Sequence, residues 1–297
     1  MKIDDVFILE ERGILYISGD DTDTFLQNLI SNDIKKVNDS NSCFASLLTP
    51  QGKYLFEFII TKHKKGYFLE CEKKIIDELF IKLNSYKFRS KVEILNLSNE
   101  FVVAVLSREK FLTLENSKDV LGYTTKFRED PIYLDPRHKD LGARLITNLE
   151  KLHLSLKLLE LKSSNLDGYY SVSNKLGIPQ INTDKLQNNL FGIECNLNEL
   201  NGIDFKKGCY VGQENTARIK LKDKLSKRLF PVEVIEGDLS KDNIIHHENK
   251  ELGKVLINNK FPFAIVKFKD KNFKFEKIFK CGSASVKIKK PYWFKFD

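Results

Sequence analysis

Lys206-Lys207-Gly208-Cys209-Tyr210-Val211-Gly212-Gln213-Glu214-Asn215-Thr216-Ala217-Arg218 packs a thiol, two glycines, two amides, a carboxylate and three cations into thirteen residues. Cys209 is the one strong nucleophile in the stretch, and its reactivity depends on how much of it is thiolate. The neighbouring cations Lys206, Lys207 and Arg218 are expected to favour that anion. Gly208 and Gly212 allow a tight turn and a close approach to a ligand, since neither carries a Cβ. Glu214 and Arg218 are four apart and pair on one face if the chain is helical from Gln213 onward. Read from the residues alone, Cys209 is first of all a small buried apolar residue, the usual fate of a single free cysteine.

Around this stretch lies a chain of 297 residues, long enough for two or three packed subdomains. Hydrophobic residues make up 41% and charged residues 30%, a globular rather than a disordered composition. No apolar run is long enough for a membrane helix. The start, Met1-Lys2-Ile3-Asp4-Asp5, has neither an apolar signal core nor an Arg-rich presequence, which predicts a cytoplasmic protein. The five cysteines, Cys43, Cys71, Cys195, Cys209 and Cys281, are odd in number and widely spaced. That pattern encodes no zinc ribbon or thioredoxin-type pair, and no metal site is expected. The net charge of +8 raises the question of nucleic acid. However, only eight of the 49 cations are arginine, and the lysines are scattered, so direct nucleic-acid binding is not expected.

Periodicity predicts an α+β chain. Residues 6–18 alternate as a hairpin turning at Arg12-Gly13, and a helix follows with Phe25, Leu26, Leu29 and Ile30 on one face. Strands are expected at 43–49, 54–61 and 67–71, and a helix at 73–86. Strand-like segments at 91–105, 120–127 and 142–146 surround a short helix near 107–115 and the turn Leu134-Asp135-Pro136-Arg137, flanked by Arg137 and Arg144. A helix covers 149–161, and a polar, irregular zone runs from 163 to 208, a length that suggests function. From Leu229 the chain breaks into short strands at 229–235, 252–257, 262–268 and 283–289, the pattern of a small barrel whose core Trp293 is expected to close.

The chain resembles the YgfZ family of folate-binding proteins, relatives of the glycine-cleavage T-protein that act in iron–sulfur protein maturation and repair. The resemblance rests on Lys-Gly-Cys-Tyr-x-Gly-Gln-Glu at Lys207–Glu214 with the following Arg218. Weaker matches precede it, in order: Phe25-Leu26-Gln27 with Asn32-Asp33, Thr49-Pro50-Gln51-Gly52-Lys53, Asp135-Pro136-Arg137, Leu141-Gly142, Gly177-Ile178-Pro179 and Asn196-Leu197. It implies a T-protein-like fold of three subdomains around a central opening: an α+β folate-binding-type region (1–147), a middle region with the signature (148–225) and a C-terminal β-barrel (226–297). It also implies tetrahydrofolate as cofactor, held by Gly208, Tyr210, Gly212, Gln213 and Glu214, with Tyr169 or Tyr170 as the wall beside the pterin. A glutamate frequent in the family two residues before Gly177 is replaced by Lys175.

The function so implied is a tetrahydrofolate-binding accessory protein for assembly or repair of iron–sulfur clusters in client enzymes, tRNA-modifying ones included. Cys209 is the working thiol, and Lys207 and Arg218 hold its charge. The alternative is a folate-dependent aminomethyl or one-carbon transferase. Against it, Phe56-Glu57 stand where the T-protein carries its acidic pair, which leaves enzymatic activity undecided. The third reading is a lysine-rich RNA-binding protein.

Overall fold

The computed structural model describes residues 1–222, 225–239, 243–248 and 250–295. The N-terminal half forms two sheets. One has five strands in the order β3 (Cys43–Leu48), β4 (Tyr54–His63), β5 (Gly66–Glu72), β2 (Arg12–Ser18) and β6 (Glu93–Asn96). The other has six, in the order β11 (Lys162–Ser163), β1 (Asp5–Leu9), β7 (Phe101–Leu106), β10 (Ala143–Asn148), β9 (Asp130–Leu134) and β8 (Thr124–Phe127). The C-terminal barrel is closed in the order β12 (Arg228–Glu236), β15 (Phe263–Val266), β14 (Lys250–Ile257), β13 (Ile244–His247), β16 (Ile278–Cys281) and β17 (Ala284–Ile288). The expected α+β class and the C-terminal barrel are both present.

Helix α1 (Thr22–Leu29) forms because Thr22, Phe25, Leu26 and Leu29 recur at helical spacing, and all four are buried against the five-stranded sheet. Helix α2 (Ile76–Lys87) covers the same sheet through Ile76, Leu79 and Leu83. The short α3 (Arg108–Phe111) and α4 (Leu149–Leu158) lie on the six-stranded sheet, with Asn148 accepting a bond from Glu150 N to cap α4. Helix α5 (Leu166–Lys175) packs on β1, and α6 (Gln213–Leu221) follows the cysteine loop. A central core joins all three sheets through Phe7, Phe44, Phe68, Tyr133, Leu229 and Phe263.

Three sequence expectations are corrected. The 6–18 hairpin does not form: β1 pairs antiparallel with β7, whereas β2 pairs with β5 and β6, so the chain changes sheets at Glu10-Glu11. Period-two alternation identifies a strand without identifying its neighbour, and β2 gains a six-residue ladder with β5 by leaving β1. The zone from 163 to 208 is not irregular throughout, because it holds α5. The buried face of α5 is Tyr169 and Ser173 rather than aliphatic residues, which hid its period. Trp293 packs only on the edge of the barrel core, whose interior is filled by Phe294, edge-on to Phe230. Its indole instead donates to Leu176 O at 2.8 Å and docks the C-terminal segment on the end of α5.

Candidate functional site

The cysteine loop is fastened at both ends and raised between them. Lys207 and Tyr210 are buried, while Gly208 and Cys209 between them are exposed. The Lys207 ammonium lies 5.0 Å from the Tyr210 ring centre. It donates to Gln27 O at 2.7 Å, Ile30 O at 2.6 Å and Asn32 O at 2.9 Å. Val211 N takes a fourth carbonyl, Asn28 O, at 3.2 Å. Two of the open carbonyls at the end of α1, Gln27 O and Asn28 O, are thus satisfied by the loop, and a cation sits at the negative end of that helix. Burial lowers Lys207 to about 8, yet its three carbonyl partners use all three ammonium hydrogens and keep it charged at neutral pH.

This geometry corrects the role expected for Lys207, whose ammonium is committed to α1 rather than free to hold a thiolate. Replacing it with Met leaves three carbonyls without their donor. We expect a loss of about 2 kcal/mol in urea unfolding. An unchanged midpoint would contradict the clamp.

The far side of the loop rests on the β3–β4 turn. Gly212 has φ +86°, and a Cβ there would lie 2.5 Å from Thr49 O and 3.1 Å from the Gly52 Cα. Gly52 has φ +79° and faces back toward Gly212 O and Thr216. Asn215 Nδ2 donates to Gln51 O at 3.0 Å, and Thr216 Oγ1 to Gly212 O at 2.9 Å. Two glycine-bearing motifs far apart in sequence are therefore packed backbone to backbone. Gly208 is different, since a Cβ there would meet nothing within 4 Å.

Of the five thiols, Cys209 alone is exposed. Burial pushes Cys43 and Cys71 up to about 12, and Cys195 is raised as well, which keeps these thiols protonated and inert. Glu214 and Arg218 are exposed on α6 and make no ion pair with each other, contrary to expectation, while Gln213 is half-buried at its first turn. Lys175 is exposed at the C-terminal end of α5, beside the barrel rather than the cysteine loop.

Tyr169 is not a pocket wall. It is fully buried, and its hydroxyl accepts from Arg144 Nη2 at 2.6 Å. It belongs to an ion network between the two sheets that the sequence did not reveal. Arg144 reaches both Glu70 and Asp135, Arg137 pairs with Asp135 at 2.8 Å, and Arg12 pairs with Glu70 at 2.8 Å. The Tyr133 hydroxyl donates to Glu70 Oε2 at 2.7 Å. Four buried polar atoms in this region have no hydrogen-bond partner: Arg12 Nη1, Arg137 Nη1, Glu57 Oε1 and Tyr54 Oη. The Thr183 hydroxyl next to Tyr54 is already committed to Glu72. Burial raises Glu57 against the pull of the Arg137 and Arg12 guanidinium groups.

Glu57 lies near Arg12, Arg137 and Tyr54, and the four atoms are donors and acceptors of the kind that a ring such as a pterin pairs with. The small cavity beside Gln180, itself a partner of Arg144, measures about 10 Å³, space for a single water, and none of the four residues lines it. Among the described residues no cluster of three or more His, Cys, Asp or Glu is placed to hold a metal ion, and no helix is long and apolar enough to cross a membrane.

No family model matches the chain. In fold it is similar to the glycine cleavage system aminomethyltransferase T from Bartonella henselae, with a TM-score of 0.74 over 98% of this chain and 86% of that one, at 12% identity. In sequence it is similar to the iron–sulfur cluster assembly factor IBA57 homologue of Dictyostelium discoideum, 27% identical over 264 residues, covering 80% of this chain and 64% of that protein. The Neurospora crassa homologue is 29% identical over 75% of this chain and 52% of its own length. The chain thus spans between half and two thirds of these two relatives. Both are named as mitochondrial, which overturns the cytoplasmic expectation. The mouse iron–sulfur cluster assembly factor IBA57, also mitochondrial, is 30% identical over 249 residues, which cover 78% of this chain and 67% of that protein. With that extent of shared sequence on a T-protein-like fold, the chain belongs to the IBA57 family.

Proposed function

We propose that this chain takes part in iron–sulfur cluster assembly on client proteins, with Cys209 as the thiol it presents to the cluster. The observation that carries this reading is that Cys209 stands exposed on a loop pinned by Lys207 and Tyr210, while the other four thiols are buried. A thiolate is the ordinary protein ligand of an iron–sulfur cluster, and such clusters take several cysteine ligands. One presented thiol makes an incomplete site, so the remaining ligands come from the client and the cluster is shared while in transit. Arg218 on the adjoining helix supplies positive charge near the exposed loop, and Gln213 and Glu214 offer polar groups to the partner. Service to tRNA-modifying clients, repair as well as assembly, and kinship with the YgfZ branch through the Lys207–Glu214 signature belong to the same reading.

The test is rescue of aconitase activity in cells lacking this factor. Wild type restores activity, whereas Cys209→Ser is expected to restore no more than about a tenth. Equal rescue by both would sink the role of the thiol. Because the side chain is exposed, the variant is expected to unfold at the parent midpoint.

A folate function is the second reading, favoured by the unpartnered atoms of Arg12, Arg137, Glu57 and Tyr54. In it these side chains hold the edge of a tetrahydrofolate, which supplies one-carbon chemistry when bound, and Glu57 is the carboxyl nearest to a transferase role. Calorimetric titration with tetrahydrofolate tests it, with Glu57→Gln expected to weaken binding and no heat at millimolar ligand counting against it.

A further inference from the structure

One feature not used by these readings is a cleft of about 590 Å³ between the two sheets, at the end of β4 opposite the cysteine loop. β4 runs ten residues from Tyr54 to His63, so the ends of this strand lie roughly 30 Å apart at about 3.3 Å per residue. Turns and strand ends from both sheets converge on the cleft: His63 and Lys64 at the β4–β5 turn, Leu97 to Phe101 before β7, Lys126 to Pro131 in the β8–β9 hairpin, and the start of α4.

The cleft has an aromatic base. The half-buried His63 ring stacks on Phe68 with centres 4.1 Å apart and planes 16° apart. Tyr16 and Phe101 stand edge-on to it at 6.1 Å each. Three exposed lysines, Lys64, Lys126 and Lys151, line the same space, and no ion pair is recorded for any of them. Burial first, and then these three cations, lower His63 to about 4, so the ring is neutral at pH 7. The opposing charges in the cleft are Asp39, Glu100, Glu129 and Glu150, which suit hydroxyl and amino donors; Asp130 is taken by the Thr147 hydroxyl at 2.6 Å. Lys62 is engaged elsewhere, 4.3 Å over the Tyr67 ring.

An aromatic base, unpaired lysines and free carboxylates in one cleft match the three parts of a nucleotide: a flat base, phosphates, and a sugar with hydroxyl donors. The volume lies within the range of small-ligand sites. We propose that this cleft binds a free nucleotide, its base stacked on His63 and its phosphates met by Lys64, Lys126 and Lys151. It is separate from Cys209 and rests on neither functional reading above.

The experiment is calorimetric titration of the full chain with ADP, adenosine, inorganic pyrophosphate and a single-stranded oligoribonucleotide of about ten residues. ADP is expected to bind with a dissociation constant below about 100 µM, and adenosine and pyrophosphate alone at least about tenfold more weakly. His63→Ala should weaken ADP about tenfold, and Lys126→Glu with Lys151→Glu should do the same through two exposed positions that folding does not need. Cys209→Ser should bind ADP as the parent does. An ADP affinity that neither variant moves, or no binding at millimolar ADP, overturns the proposal. An oligoribonucleotide bound about tenfold more tightly than ADP also overturns it, in favour of an RNA surface.

Discussion

Arg144→Met is expected to destabilise the protein by about 3–5 kcal/mol, because it removes the one cation that touches both buried carboxylates, Glu70 and Asp135. All three side chains are completely buried, so solvent does not screen the loss. Burial on its own would raise Glu70, but Arg144 and Arg12 outweigh it and hold the carboxyl below its ordinary value. Burial would likewise raise Asp135, and Arg137 and Arg144 overcome it. Both carboxyls bind protons more readily in the unfolded chain. Their contribution is therefore complete above the unfolded-state pKa, near 4, and fades as pH falls below it toward the depressed folded values. In the variant the folded carboxyls lose that protection, so acid unfolding should begin at a higher pH. Urea unfolding at neutral pH and an acid titration followed by circular dichroism check both parts. A midpoint within about 1 kcal/mol of the parent would show that the network is dispensable.

The two signature glycines should behave oppositely. Gly212→Ala places a methyl 2.5 Å from a backbone oxygen at a positive φ, with Thr49 and Gly52 behind it, and should cost about 2–4 kcal/mol. The turn and α6 must separate to admit it, so loop protection from hydrogen exchange should fall as well. Gly208→Ala meets open space and should stay within about 0.5 kcal/mol of the parent. If Gly208→Ala nonetheless impairs aconitase rescue, the missing Cβ serves the approach of a partner to Cys209 rather than the fold. Equal unfolding midpoints for the two variants would refute the steric account.

What the sequence disclosed and concealed follows from what each signal measures. Phe25, Leu26 and Leu29 announced α1 because one face of that helix is buried and the other wet, and the C-terminal barrel was legible in its spacing of short strands. The buried ion network was hidden because β5 and β9 are buried along their whole length, so Glu70 and Tyr133 do not stand out from a solvated face. Lys207 was misjudged because adjacency to Cys209 along the chain says nothing about where a long side chain points, and this one reaches back to α1. The exposed thiol was legible as a candidate, whereas its exposure was not. Whether Cys209 lay in a core or on a rim depended on Lys207 and Tyr210 being the buried anchors.

The switch of sheets at Glu10-Glu11 has a consequence for synthesis. The five-stranded sheet draws all its strands from Arg12 to Asn96, and it can assemble while later segments are still being made. β1 precedes that sheet in the chain yet must wait, since Val6 pairs with Leu106 on one side and Ser163 on the other. Until then β1 carries two bare edges of Val, Phe and Ile, the kind of segment that recruits chaperones or seeds misassembly. Nascent chains halted shortly before Leu106 should therefore hold a formed five-stranded sheet and a protease-sensitive β1 segment.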